Sequence, residues 1–326
     1  MKKIIVICPG GASTGGIELL HQLVDAINSI QERASICYYP FNKKFTISPA
    51  YEKYKCPVIN FEKIQKNEYY IILPEVYTYL LTNFKLENVY LWWMSVDNYK
   101  NSSSWKFALK NKFLPWDYLD VNKKSVHFKN IGGHLCQSEY ARKFLESYGM
   151  ESIFGVSDYI NEDYVSRSLN VDYKSKKDIV VFNPAKGIEQ TKKIRNVLKD
   201  VEFRAILNMS RSQVMDLLQS AKIYIDFGNH PGKDRIPREA AALGCCVITN
   251  RRGSAGNSVD IPISDRFKID DECKNFANEV ASVVGDVFTN FDGCRLKFDL
   301  YRSMISSEKK LFKTAVENLS TKVFLV

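Results

Sequence analysis

The sequence predicts an α/β protein of two Rossmann-like domains whose parallel sheets face each other across a cleft. Three observations carry that prediction. Short apolar runs alternate with amphipathic stretches, which is the rhythm of β-α-β units with right-handed crossovers. The rhythm restarts at Asp178. The loops richest in glycine and charge each follow a strand, where open parallel sheets bind ligands. At 326 residues and 45% apolar content, the chain is long enough for two cores.

The first series begins with a strand over Lys2 to Cys8 and a glycine loop. In the helix that follows, Ile17, Leu20, Leu23, Val24 and Ile27 fall at helical spacing. Tyr69 to Leu73 and Val89 to Met94 read as fully buried strands. Ser138 caps EYARKFLESYG, a helix with Ala141, Phe144, Leu145 and Tyr148 on one face and Gly149 as its stop.

In the second series IVVFN is a strand ending at Pro184, and a helix runs from after Lys186 to Leu198. Phe203 to Leu207 is the next strand, and Ser210 with Gln213 forms a capping box. IYIDF, the stretch HPGKDRIPREAAALG and CCVIT then give strand, loop, helix and strand. The polar segment from Asn161 to Lys177 reads as a linker. The expected domains are 1–165 and 166–326, with a C-terminal helix packing back towards the first.

Eight scattered cysteines, with no C-x-x-C pair, point to a reducing cytoplasm and no structural metal. The apolar start, Ile4 to Cys8, is too short for a secretory signal, and no run reaches the roughly 18 to 20 apolar residues that span a bilayer. A net charge of +9 calls for anionic partners. No nucleic-acid signature appears, which leaves phosphorylated ligands and anionic lipid.

Five loops carry the chemistry. CPGGASTGGIE places Gly15 and Gly16 at a helix start, where free amides favour an anion. Glu75 and Asp97 follow the central strands, where either carboxylate can serve as a base in a dry cleft; His134 reads as a packed histidine. Lys186 stands in FNPAKG beside Asn183. His230, Lys233, Asp234, Arg235 and Arg238 crowd the loop after IYIDF, with Pro237 in the first helical turn. Arg235 can grip an anion with two parallel bonds while Lys233 adds a mobile charge, so the cluster fits a diphosphate, with Glu239 reaching ribose hydroxyls.

Taken in order, these residues resemble the GT-B glycosyltransferases of the large group 1 (glycogen-synthase-like) family. Gly15, Gly16 and Glu18 resemble its GG-x-E opening, QSEYARKFLESYG its serine-led helix, FNPAKG its lysine-glycine loop, and PREAAALGCCVIT its EA-x-A-x-G-x-P-V helix and strand. The resemblance implies that Lys186 binds the donor diphosphate and Glu239 the ribose. The chain departs from the pattern at Pro231, where the first paired glutamate would stand, at Ser95 to Asp97, where a histidine is usual, and at Asn183, near where an upstream arginine is usual.

The implied activity is transfer of a sugar from a nucleotide-diphosphate sugar, UDP-linked ahead of GDP-linked, to a hydroxyl of a glycan or lipid-linked glycan in bacterial surface polysaccharide synthesis. No Asp-x-Asp metal loop appears, so Lys186, Lys233, Arg235 and helix amides would stabilise the departing diphosphate without a metal or other cofactor. Asn183, His230 and Asp234 would meet the sugar or acceptor. A degenerate subunit that binds nucleotide or glycan without transfer is the alternative, and a nicotinamide-dependent oxidoreductase ranks third because G-x-G-x-x-G is absent. Seven lysines against two aspartates between Tyr99 and Asn130, interleaved with Trp105, Phe107, Phe113, Trp116 and Phe128, suit either an anionic membrane surface or an ordinary solvated face over core aromatics, so a cytoplasmic enzyme is expected, peripheral to the inner face of the membrane under the first reading.

Overall fold

The computed structural model describes residues 2–64, 68–102 and 128–324. The chain divides into two compact units, Met1–Asp158 with Lys310–Val326, and Tyr159–Lys309.

In the first unit, strand β1 (Lys3–Pro9) is covered on both faces and leads into helix α1 (Gly15–Ile30), whose cap, Thr14, accepts from Ile17 N at 3.4 Å. β2 (Ala34–Tyr39), β3 (Tyr69–Pro74) and β4 (Val89–Trp93) follow, then α2 (Val96–Ser102), β5 (Gly133–Cys136), α3 (Glu139–Ser147) and β6 (Ile153–Gly155). The sheet order is β2-β1-β3-β4-β5-β6, all parallel. Ile71 lies opposite both Ile5 and Val89, so the most apolar strands occupy the centre. Ser138 caps α3 through a bond from Ala141 N at 3.1 Å, and Gly149 follows with φ +63°, both as the sequence predicts. The sequence reading picked out neither β2, β5 nor β6. β5 and β6 have only four and three residues, and their pairing partners make them strands.

The second unit opens with α4 (Glu162–Ser168), inside the expected linker. Asn161 caps this helix by accepting from Asp163 N at 2.9 Å, and Tyr164 is its one buried residue, which is why the apolar period there is faint. The change of unit falls at 158/159, ahead of the expected 165/166. β7 (Lys177–Phe182), α5 (Ile188–Val197), β8 (Glu202–Ala205), α6 (Arg211–Ser220), β9 (Ala221–Asp226), α7 (Arg235–Ala242) and β10 (Cys246–Thr249) complete a parallel sheet of order β10-β9-β7-β8. The expected capping box on α6 is formed, with Ser210 and Gln213 bonding reciprocally. β8 stops at Ala205 and leaves Leu207 exposed, short of the expected end.

Buried Lys176 donates to Leu218 O at 3.0 Å and Ala221 O at 2.7 Å, fastening the turn from α6 into β9. α8 (Phe276–Thr289), α9 (Phe291–Leu296) and α10 (Asp299–Lys322) close the chain, and α10 runs out of the second unit into the residues that belong to the first. All eight cysteines are free thiols, and seven are buried, as small apolar fillers would be.

Candidate functional site

In the second unit, three loops leave the carboxyl ends of β7, β9 and β10 and lock into one another. Gly187, with φ +60°, backs onto the loop after β9, where a Cβ would stand 2.4 Å from the carbonyl carbon of Phe227. Gly253, with φ +54°, does the same after β10, where a Cβ would stand 1.9 Å from His230 O. Only glycine meets both demands. Asn250 Nδ2 donates to Gly228 O at 2.8 Å, Arg252 Nη2 to Phe227 O at 2.8 Å, and Ser254 Oγ to Gly232 O at 2.6 Å. Arg252 is itself held by Asp271.

This scaffold presents a chain of charges. Lys186 Nζ lies 2.8 Å from Asp234 Oδ2, and His230 Nδ1 lies 3.1 Å from the same oxygen. On its far side His230 Nε2 is 3.3 Å from Asp226 O and 3.8 Å from Asp226 Oδ1. Burial alone would lower the His230 pKa, but the bond to Asp234 and the charges of Asp226 and Asp234 outweigh it, so the imidazole titrates above its ordinary value. Burial would raise Asp234, and the bond from His230 with the charge of Lys186 reverses that, holding the carboxyl below the usual range.

Asp226, His230 and Asp234 bring ligand-type atoms within 4.8 Å of one another, the spacing of a metal site. Their chemistry fits an ion-pair network better. Asp226 already accepts from Tyr224 Oη at 3.1 Å and from Gly228 N at 3.0 Å, and a cation at Asp234 would have to displace the Lys186 ammonium.

The positive residues beside this network are partly committed to structure. Lys233, expected as a mobile charge, pairs with Glu308 Oε1 at 2.8 Å and is mostly buried. Arg238 is fully buried, donating to Glu308 Oε2 at 2.8 Å, to Asp234 O at 3.1 Å and to Lys233 O at 2.8 Å. The acid that balances them stands on α10, far along the chain. Glu239 is raised by burial, offset by the charges of Arg235 and Arg238 and by a hydrogen bond with Tyr164 of α4. Asn183 accepts from Ala185 N at 3.0 Å and shapes its own loop.

In the first unit, Gly15 and Gly16 begin α1 and are exposed, and a Cβ on Gly16 would meet nothing within 4 Å. Glu18 sits in the first turn of that helix, buried, accepting from Tyr54 Oη at 2.8 Å with Lys53 Nζ at 3.6 Å. Its carboxylate already answers the positive helix end, which disfavours a phosphate at Gly15 and Gly16.

Glu75 is only 2% exposed and accepts from Met94 N at 3.1 Å. Burial pushes its pKa up to about 8 against the pull of the backbone amides of Met94, Glu75 and Ser95. Its carboxyl holds the turn between β4 and α2. Asp97 accepts from Tyr140 Oη at 2.9 Å. His134 is packed as expected: Trp93 Nε1 donates to its Nδ1 at 3.0 Å, its Nε2 lies 3.3 Å from Phe128 O, and burial lowers its pKa to about 4. Of the basic aromatic stretch, residues 103–127 lie outside the described residues, and Phe128 is core.

The sequence reading passed over Asp226, Tyr164, Glu308 and the RRGSAG turn after β10. Asp226 ends a strand and RRGSAG is a glycine-rich loop after one, the same signal that singled out the loop after β1. Tyr164 and Glu308 carry no local signal, since each matters only through a residue distant in sequence.

No family model matches the chain, and no curated protein matches it. Solved structures do. Sucrose-phosphate synthase from Thermosynechococcus elongatus superposes with a TM-score of 0.64 at 12% identity, covering 100% of both chains. A glycosyltransferase from Rickettsia africae gives 0.63 at 15%, covering 98% of this chain and 97% of its own. HepE from Anabaena, solved with UDP and glucose, gives 0.62 at 10%, covering 100% of both. The fold, mixed α/β with parallel sheets of six and four strands, is that of the GT-B glycosyltransferases.

Proposed function

We propose that the chain transfers a sugar from a nucleotide-diphosphate sugar to a hydroxyl of a glycan or lipid-linked glycan. The observation that carries this reading is the Lys186–Asp234 pair, poised where the loops after β7 and β9 meet, in a fold that HepE uses to hold UDP and glucose. An ammonium already aimed by a carboxylate can be shared with an incoming diphosphate at little cost in ordering. Buried His230, drawn towards its charged form, keeps Asp234 ionised and therefore keeps Lys186 in place.

When the glycosidic bond to the donor breaks, negative charge grows on the departing diphosphate. Lys186, with Arg235 at the start of α7, would stabilise that charge, and Glu239, steadied by Tyr164, would accept from ribose hydroxyls. Lys233 and Arg238 hold α7 against Glu308 and so position these groups. Cationic side chains make a divalent metal unnecessary to this scheme, and a UDP-linked donor remains our expectation.

Calorimetric titration with UDP and GDP, followed by turnover of a nucleotide-sugar panel, tests the proposal. Neither diphosphate binding would sink it. Glu75 is buried and Asp97 holds Tyr140, which favours a second reading, a non-catalytic binding subunit. Tight nucleotide binding with no turnover of any donor would select that reading.

A further inference from the structure

The second unit contains a pocket of about 220 Å³ where α4, α7 and α10 meet, built entirely from that unit's residues. Val165 of α4, Ala242 at the end of α7 and Ile305 of α10 give it an apolar floor, and Ser168, Arg302, Ser303 and Ser306 supply its polar lining. Ser168 Oγ donates to Val165 O at 2.7 Å and Ser306 Oγ to Ser303 O at 2.8 Å, so both oxygens keep lone pairs with which to accept. Arg302 Nη2 is committed to Arg295 O and, at 2.6 Å, to Asp299 Oδ1. Nη1 of the same guanidinium is buried and, among the described residues, has no hydrogen-bond partner. Asp299 is well exposed, so water screens much of the charge it sets against Arg302. The planar head of Arg302 is therefore fixed through one nitrogen and unspent at the other.

We propose that this pocket takes a compact polyol carrying a single phosphate or carboxylate group. Arg302 is the charged residue of the lining among the described residues, and a guanidinium with an unmet donor is the group that grips an oxyanion best. Leaving a buried donor unmet is costly, and an oxyanion relieves that cost. The Ser168 and Ser306 oxygens, already spent as donors, match the O–H groups of a polyol, while the floor of Val165, Ala242 and Ile305 covers its carbon skeleton. The volume lies below the roughly 300 to 1,000 Å³ of sites that enclose drug-sized ligands, so a nucleotide does not fit. A ligand here touches three helices at once. It braces α4, which carries Tyr164, against α7, which carries Glu239, and the pocket shares no lining residue with Lys186 or the loop after β9.

The test titrates the full chain with glycerol 3-phosphate and with glycerate, which separate the two oxyanions, and with glycerol and inorganic phosphate as the two halves of the ligand. Saturation-transfer NMR reads the organic ligands, and calorimetry reads all four. We expect at least one anionic polyol to bind at least tenfold tighter than either half and to raise the melting temperature. Arg302→Gln should weaken that binding at least tenfold. Ser303→Trp, which fills the mouth from an exposed position, should abolish it while keeping wild-type melting behaviour, so a loss in Arg302→Gln is not mistaken for unfolding. Binding should also persist in the presence of excess UDP. Failure of both anionic polyols to bind, equal binding of inorganic phosphate alone, an intact signal in Ser303→Trp, or displacement by UDP overturns the proposal. None of these outcomes depends on whether the chain transfers sugar.

Discussion

Lys186 is the residue on which most depends. Replacing it with alanine removes a charge-assisted bond to the donor, typically about 1.5 to 3 kcal/mol, so UDP affinity should fall about ten- to a hundredfold by calorimetry with the melting curve little changed. Wild-type affinity in Lys186→Ala would remove it from the site. Glu75 makes a separate prediction about pH. Its carboxyl is raised from 4.5 to about 8, so the folded chain keeps a proton that the unfolded chain has lost, and stability drains away as pH rises through that window. Denaturant titrations from pH 4.5 to 8 should show a slope in the wild type, of which Glu75 supplies on the order of a few kcal/mol, and Glu75→Gln should flatten it by that amount. His230 and Asp234 bracket the acid side. His230 is raised, so its contribution is complete below its ordinary value of 6.5 and fades as pH climbs through the folded value. Asp234 is lowered, so its contribution is complete above 3.8 and fades as pH falls through the folded value. His230→Gln should therefore lose stability most near pH 5 to 6 and least at alkaline pH, as read by thermal melts across that range.

Among the elements, α7 and α10 are joined by a buried ion pair. Removing one partner of such a pair leaves an unpaired buried charge and costs about 3 to 5 kcal/mol. Glu308→Leu, which strands both Arg238 and Lys233, should lower the unfolding midpoint sharply, while pairing it with Arg238→Met should recover much of the loss. If the double variant is no more stable than Glu308→Leu, the pair is not what joins the helices. Sequence patterning found α7, with its proline in the first turn, and failed on the partner. Local periodicity places residues on a helix face, but a partner 70 residues away is chosen only when the chain packs.

For the whole molecule, no described helix is long and apolar enough to cross a membrane. From its charge and aromatic pattern, we propose the stretch between Tyr99 and Asn130 as the part that would meet an anionic lipid surface. Lysines near an anionic surface contribute about 1 kcal/mol each, so the wild type should sediment with anionic vesicles at low salt and be released by added salt. Replacing Lys106, Lys110, Lys112 and Lys123 together should abolish sedimentation, and unchanged binding would rule the stretch out.

By itself the sequence determined the α/β class, the two parallel series, the caps at Ser138 and Ser210, and the loops in which Lys186 and His230 to Glu239 lie. Those features are written in neighbouring residues: apolar runs make buried strands, and a serine before a helix caps it whatever else the chain does. Tertiary structure alone decided which charges are committed. It turned Lys233 and Arg238 to Glu308, set Lys186 on Asp234, made a helix of the supposed linker so that Tyr164 could hold Glu239, and buried Glu75 until its carboxyl keeps its proton. A side chain's charge is fixed by its identity, but whether that charge is spent depends on burial and on partners that only folding brings within 3 or 4 Å.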